Sequence, residues 1–364
     1  MSFVCNFNQC SGCGLCVDIC QHNAIRISDD LSVYNAVIQE DKCVSCNACR
    51  QACPNNHSAA FSFPTSWYQG WTEHDEIRKK ASSGGFATAI AESFIKSGGI
   101  VCSCIFDNGK FVFDFAESCE DLSKFTGSKY VKSNPQGIYK RIKRKLRENH
   151  KVLFIGLPCQ VAAVKRFIGD NLGEKLYTID LICHGTPSPR LLDLFLNQYN
   201  LSLNNLSDIS FRRKFKFQLE GDNKSIVTTG VSDRYSTAFL NGLTYTENCY
   251  NCPYAQGKRI SDLTIGDSWG SELADFEIIS GISLALCMTD KGNYLLKTAS
   301  LHLEAVDLDK AIAHNHQLES PMKMPKKRKI FFDEIGKGKT FNSVVYKCLP
   351  VPCIRQDIKS LLIK

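Results

Sequence analysis

The chain has 364 residues, 43% of them hydrophobic, with a formal net charge of +7 and 19 cysteines. That length predicts two or three domains with an ordinary buried core, and no apolar run is long enough to span a membrane. Cys5 and Cys10 stand where a leader's apolar segment would be, and an odd number of thiols argues against a disulfide framework. The expectation is a cytoplasmic protein with metal-bound cysteines.

The first chemistry along the chain is a duplicated cysteine run. Cys10, Cys13, Cys16 and Cys20 follow a C-x₂-C-x₂-C-x₃-C spacing, and Cys43, Cys46, Cys49 and Cys53 repeat it, with Pro54 after the second run. This is the bacterial two-cluster ferredoxin spacing, in which the fourth cysteine of each run ligates the other run's cluster. It assigns one [4Fe–4S] cluster to Cys10, Cys13, Cys16 and Cys53, and a second to Cys43, Cys46, Cys49 and Cys20. Two-residue gaps let one tight loop aim three thiolates at a single cube, and the three-residue gap sends the fourth the other way. A structural zinc site uses four ligands and leaves four of these eight thiols without a role. Gln21 stands where the pattern often has proline. Each cluster with its four thiolates carries a net charge of about −2 when oxidised, so the basic balance is not read as a nucleic-acid signal.

The segment 56–71 is rich in Ser, Pro and aromatics and reads as a linker. Ser82-Ser83-Gly84-Gly85 then opens a helix whose apolar positions run from Phe86 to Ile95, stopped by Gly98-Gly99. Ile100 to Phe106 and Lys110 to Ala116 read as strands joined at Asp107-Asn108-Gly109. Pro135 opens a further helix capped by Asn134. From Lys151 the pattern alternates: strand Val152 to Ile155, helix Gln160 to Phe167, strand Tyr177 to Ile182, helix Pro189 to Gln198. Such alternation predicts a parallel sheet. Leu263-Thr264-Ile265 is a short strand running into Gly266-Asp267-Ser268-Trp269-Gly270, and the chain after Ala305 reads as ordinary globular sequence.

A third thiol set is more scattered. Cys159 follows one strand of the α/β region and Cys183 the next, at the strand edge where open α/β sheets place their ligands. Cys249-x₂-Cys252 supplies two more thiols from a loop. Spacing alone leaves two readings open: a four-thiolate site, or two buried cysteines and an unrelated zinc knuckle. Cys5, Cys102, Cys104, Cys119, Cys287, Cys348 and Cys353 read as core or surface thiols.

Six short motifs occur in order: Ser82-Ser83-Gly84-Gly85, Gly127-Ser128-Lys129-Tyr130, Leu157-Pro158-Cys159-Gln160, Cys183-His184-Gly185, Cys249-x₂-Cys252 and Gly266-Asp267-Ser268-Trp269-Gly270. Together they resemble the family of coenzyme F-420 hydrogenase/dehydrogenase beta subunits, over roughly Trp67 to Asp290, with a ferredoxin domain in front. The resemblance implies a FAD-binding iron–sulfur protein whose Cys159, Cys183, Cys249 and Cys252 hold a third [4Fe–4S] cluster. The fold class expected is α/β: an α+β ferredoxin-like domain, then an α/β flavin- and cluster-binding domain with a partly parallel sheet. The expected boundaries are 1–62 for the ferredoxin domain, 63–150 for the flavin-binding part, 151–305 for the part with the third cluster, and 306–364 for a C-terminal extension.

Chemistry also calls for a flavin, because clusters move single electrons whereas hydride-type substrates take two. The turn Ser82, Ser83, Gly84 and Gly85 either offers backbone N–H groups and a helix dipole to a diphosphate or is a simple helix cap. Ser128, Lys129 and Tyr130 are expected near the same cofactor, Tyr130 as a stacking ring and Lys129 as a cation, the alternative for Lys129 being a solvated lysine. Asp267 is either a flavin-side polar contact or a strand-end cap. His184 is a candidate proton donor, or a side chain that satisfies a loop carbonyl. Gly338-Lys339-Thr340 lacks the earlier glycine of a P-loop, and no G-x-G-x-x-G follows a strand. The run Lys323 to Lys329 is either a docking patch for an acidic partner or a solvated loop.

These readings converge on an oxidoreductase that passes electrons between ferredoxin-type clusters and, through FAD, a two-electron organic acceptor, in either direction. The alternative is a non-catalytic electron-transfer subunit of a larger complex. The expected partners are ferredoxin or another redox protein and a small-molecule substrate, with no nucleic acid and no membrane span.

Overall fold

The computed structural model describes residues 2–363. Three antiparallel strands, β1 (Ser2–Phe3), β2 (Ile25–Asp29) and β3 (Tyr34–Ile38), form a small sheet in the order β1-β3-β2. The cysteine loops flank it, and each ends in a five-residue helix, Leu15–Ile19 or Ala48–Ala52. Both helices start from a left-handed residue, Gly14 and Asn47, so the internal repeat of the sequence is also a repeat of backbone shape. Val4, Ile25, Ala36 and Ile38 pack around Cys10, Cys16 and Cys53.

The main body is an eight-stranded mixed sheet. Its strands are β4 (Ser66–Thr72), β5 (Ile100–Asp107), β6 (Lys110–Ala116), β7 (Val152–Gly156), β8 (Leu176–Leu181), β12 (Leu263–Asp267), β13 (Ser283–Cys287) and β14 (Leu301–Glu304). Their order is β14-β4-β13-β12-β8-β7-β5-β6, with β5, β7, β8 and β12 parallel and the outer pairs antiparallel. The expected α/β class is what is seen. Successive residues of β7 face opposite sides: Leu153 and Ile155 pack with Phe86, Ile90 and Phe94 of helix Phe86–Lys96, and Phe154 packs with Val161 and Val164 of helix Pro158–Ile168. Helices thus cover both faces, which is why the strands are apolar on both sides.

Three local expectations need correction. The stretch 56–71 is not all linker: Ser66–Thr72 is a strand paired on both edges, by β13 and β14. Its aromatic alternation is obscured by the Ser- and Pro-rich residues before it. The helix expected at Pro135 begins at Ile138, after left-handed Gly137, and Asn134 instead accepts the Gln136 N–H in a turn. The chain beyond 305 folds into helices Leu308–His314, Arg328–Gly336, Phe341–Cys348 and Pro350–Ile363. Phe331, Phe341, Val344 and Val345 there share a core with Leu191, Phe195 and Tyr235. The segments are short and broken by Gly336, Gly338 and Pro350, so their periodicity is weak in sequence.

A third small sheet, β9 (Ile209–Arg213), β10 (Lys216–Gly221) and β11 (Lys224–Ser225), is antiparallel throughout. Its hairpin turns at Lys214, which has φ of 54°, and brings Arg212 to the carboxyl edge of the main sheet.

Candidate cluster sites and cofactor cavity

Cys20, Cys43, Cys46 and Cys49 line one surface hollow of about 270 Å³, with His22, Val44 and Arg50 around it. Cys46 is exposed, so this set opens to solvent. Cys10, Cys13, Cys16 and Cys53 are all buried. Burial, with the charges of Cys10 and Cys53, pushes the Cys13 thiol up to about 12, and burial with the neighbouring thiols raises Cys16 further. Four thiols crowded in this way ionise together only around positive charge, which suits an iron cluster. The repeat extends to hydrogen bonds: Gly12 N–H donates to Cys10 Sγ and Ser45 N–H to Cys43 Sγ, both at 3.4 Å. Cys5 was not singled out by spacing, yet its free thiol lies close enough to Cys10 and Cys53 to lower both, Cys53 to about 7.

Cys159 sits in the first turn of helix Pro158–Ile168, just past β7, and Cys183 two residues past β8. Because β7 and β8 are parallel neighbours, both thiols come to one rim. Cys249 and Cys252, from the turn Glu247–Asn251 and its end, complete the wall of a cavity of about 260 Å³. Burial, then the charges of Cys249 and Cys252, pushes Cys183 up to about 12, and burial with Cys249 pushes Cys252 up to about 11. The loop is tied down by Arg259, whose Nη2 donates to Asp180 Oδ1 at 2.8 Å and whose Nη1 donates to the Tyr254 carbonyl at 2.7 Å. Among the described residues no three His, Cys, Asp or Glu side chains converge tightly enough for one metal ion. A four-iron cube holds its thiolates farther apart than a single ion does, and four thiols around a central space have the donor chemistry for it.

The largest of these three cavities, about 580 Å³, lies at the carboxyl edge of the parallel strands, within the size range of cofactor sites. Ser82, Ser83, Gly85, Ser128, Lys129, Tyr130, His184 and Asp267 line it. The first-turn amides of helix Phe86–Lys96 have no carbonyl partner within the helix and offer donors to an anion here. Gly84 is not on the wall: its N–H donates to Ser283 Oγ at 3.0 Å, and a Cβ there would lie 2.4 Å from the Gly70 carbonyl oxygen. Its role is to let two backbones approach. Lys129 Nζ donates to the carbonyls of Phe125, Thr126 and Gly127, and burial holds its pKa below the ordinary value.

Asp267 is ion-paired. Arg212, not singled out in the sequence, donates to both its oxygens at 2.7 and 2.8 Å, to Tyr130 Oη at 3.1 Å and to the Ser82 carbonyl at 2.8 Å. One guanidinium thereby joins three of the segments expected at the cofactor. His184 Nδ1 lies 2.6 Å from Gln317 Nε2, which also approaches His316. Burial, with His316 close by, lowers the His184 pKa to about 4, so the ring is neutral near neutral pH. Cys183, His184, Gly185 and Thr186 line both this cavity and the third thiol cavity, and so form their common wall. Cys104 also lines the large cavity, while Cys102, Cys287, Cys348 and Cys353 are buried in the core. In the basic run, Arg328 is buried and donates to the carbonyls of Tyr245 and Ser32, whereas the lysines are exposed.

A duplicated thiol domain in front of an α/β body with a cavity of cofactor size is the build of an iron–sulfur electron-transfer protein. Residues 67–136 match the family model of the N-terminal part of the coenzyme F420 hydrogenase/dehydrogenase beta subunit, residues 149–311 that of its C terminus, and residues 9–57 a 4Fe-4S dicluster domain. The chain belongs to the family of coenzyme F420 hydrogenase/dehydrogenase beta subunits, with a 4Fe-4S domain at its N-terminal side. It is 26% identical over 196 residues to the uncharacterized protein MJ1349 of Methanocaldococcus jannaschii, covering 45% of this chain and 54% of that protein. It is 23% identical over 186 residues to an F(420)H(2) dehydrogenase subunit of Methanosarcina mazei, covering 48% of this chain and 53% of the relative. The chain spans about half the length of these curated relatives. Its fold is similar to that of a chain in the F420-reducing [NiFe] hydrogenase complex from Methanosarcina barkeri, with a TM-score of 0.50 and 20% identity over 72% of this chain and 94% of that one. No helix among the described residues is long and apolar enough to cross a membrane.

Proposed function

We propose that this protein is an iron–sulfur flavoprotein oxidoreductase that passes electrons from a redox-protein partner through three [4Fe–4S] sites to FAD and a two-electron organic acceptor, or in reverse. The common wall of Cys183, His184, Gly185 and Thr186 carries the reading, because it sets a thiolate site directly against the large cavity. Clusters supply one electron at a time, and a flavin takes one or two. Packing links the thiol sets: Cys20, Cys43 and Cys49 pack against the cluster of buried residues that holds Cys10, Cys16 and Cys53, and Cys159 and Cys252 pack against the one that holds Cys13. Exposed Cys46 marks the surface where a redox partner exchanges electrons. At the far end, first-turn amides and Lys129 hold the anionic part of FAD, Tyr130 presents a ring, and neutral His184 holds a proton beside the cavity. A deazaflavin is the first acceptor to try, given the relatives' names.

The test uses protein purified without oxygen. It should contain non-covalent FAD, and Lys129→Ala should lower the occupancy. Reduced viologen should reduce the clusters and then the flavin, and an acceptor should reoxidise it. Cys46→Ser should slow reduction by ferredoxin while sparing direct chemical reduction of the flavin. Absence of FAD, or full retention of it in Lys129→Ala, removes the flavin site from this reading.

A second reading, a non-catalytic electron-transfer subunit, is favoured by Val351, Ile358, Leu361 and Leu362, which stand exposed on helix Pro350–Ile363. Failure with every acceptor, together with tight association with a larger oxidoreductase, selects it.

A further inference from the structure

Lys132 stands between two thiol sites. Its side chain is almost wholly buried, with the residue 5% exposed. Its ammonium donates to the Ser11 carbonyl at 3.0 Å, inside the loop between Cys10 and Cys13, and lies 5.0 Å from the centre of the Tyr34 ring. Its backbone N–H donates to the Pro187 carbonyl at 2.9 Å, which fixes the residue beside the Cys183 loop. The same residue lines the cavity of Cys159, Cys183, Cys249 and Cys252.

Lys132 has no carboxylate beside it, although it stands between two thiol sets. The two buried guanidinium groups at these sites are each paired, Arg212 with Asp267 and Arg259 with Asp180. Among the described residues no carboxylate comes within 4.0 Å of the Lys132 ammonium, which instead meets a carbonyl and a ring face. A buried charge without a counter-ion is costly, so negative charge near it is expected from another source. The thiol sets on either side meet that need. One set lies across the Ser11 carbonyl, in the loop between Cys10 and Cys13, and the other shares its cavity wall with Lys132. A four-thiolate cluster carries net negative charge in both oxidation states and more when reduced, and a fixed cation nearby favours the reduced form.

We propose that Lys132 is the shared counter-ion of the first and third clusters, raising the reduction potentials of both relative to the second and so drawing electrons inward from the exposed site. This rests on the three-cluster reading above. The step it assists moves one electron: the first site is oxidised by one as the third is reduced by one, with no bond or proton changed, and reduced viologen supplies the electron. Lys132 is a positioning charge and needs no contact with substrate.

The test is an anaerobic potentiometric titration of the full chain followed by EPR, with the signals assigned against Cys46→Ser and the double Cys249→Ser and Cys252→Ser variant. Lys132→Gln keeps an N–H donor for the Ser11 carbonyl and removes the charge. The expected result is full iron content, a fall in the first and third potentials, an unchanged second potential, and recovery with Lys132→Arg. Unchanged potentials in Lys132→Gln, or an equal shift of all three, overturn the proposal. If Lys132→Gln loses its clusters, Lys132→Arg decides: iron and potentials kept with Arg support the charge, and their loss with Arg as well overturns it. Wild-type protein with clearly fewer than about twelve irons would instead sink the three-cluster reading, independently of Lys132.

Discussion

Removing the Asp267 carboxylate gives the sharpest test of how the cavity wall is built. Asp267→Ala leaves Arg212 in place with its charge, and that side chain is only 4% exposed, against 19% for Asp267. Two unit charges about 4 Å apart at an effective dielectric near 20 attract by about 4 kcal/mol, and orphaning one member of a buried pair costs about 3–5 kcal/mol. The partial exposure of Asp267 places the loss at the low end, about 3 kcal/mol, because water can reach the vacated side. The double variant Arg212→Met with Asp267→Ala removes the orphaned charge and fills its volume with an apolar chain. Its loss should be smaller than that of Asp267→Ala alone, about 1 kcal/mol, the scale of the hydrogen bonds to Tyr130 and Ser82 that it also gives up. Anaerobic urea unfolding followed by tryptophan fluorescence is a suitable assay, since the Trp269 ring lies 5.9 Å from the Arg212 guanidinium. A double variant as unstable as the sum of the two single variants would refute the reasoning, for it would mean that the pair is not coupled.

Three further outcomes are expected. Replacing Cys249 and Cys252 together by serine should remove about four of about twelve irons and leave the ferredoxin-type EPR signals; unchanged iron with zinc present counts against a third cluster. Gly84→Ala should lower the thermal midpoint by an amount corresponding to about 1–3 kcal/mol, because the new methyl meets backbone at 2.4 and 2.7 Å, and iron content should hold; an unaltered midpoint in scanning fluorimetry contradicts the packing argument. Asp180→Ala should cost about 3–5 kcal/mol by stranding Arg259 and should loosen the Tyr254 segment, so that the third site gives up iron to a mild chelator before the other two. Equal rates of iron release from all three sites would argue against that anchoring role.

Legibility followed the range of the forces. The cysteine runs were readable because a cube draws three thiolates from one tight loop, so their information is local, and both loops adopt matching left-handed turns. The parallel core was readable because strands covered on both faces are mostly apolar along their length. Strand Ser66–Thr72 was not, since its partners lie beyond residue 280 and nothing near it shows that pairing. The Ser82 turn was legible as the start of a helix, but the packing role of Gly84 depends on Gly70 and Ser283.

The sequence by itself determined the grouping of the N-terminal thiols, the α/β class and the motifs around the large cavity. Only the tertiary structure decided which charges meet there. Arg212 reaches Asp267 across 55 residues, Lys132 reaches the Ser11 carbonyl across 121, and Gln317 reaches His184 across 133. Each contact is a pairing between elements distant along the chain, and no spacing rule records it. Ligand spacing is fixed by the covalent chain within a loop, whereas the partner of a buried charge is fixed by which surfaces the sheet and its helices press together.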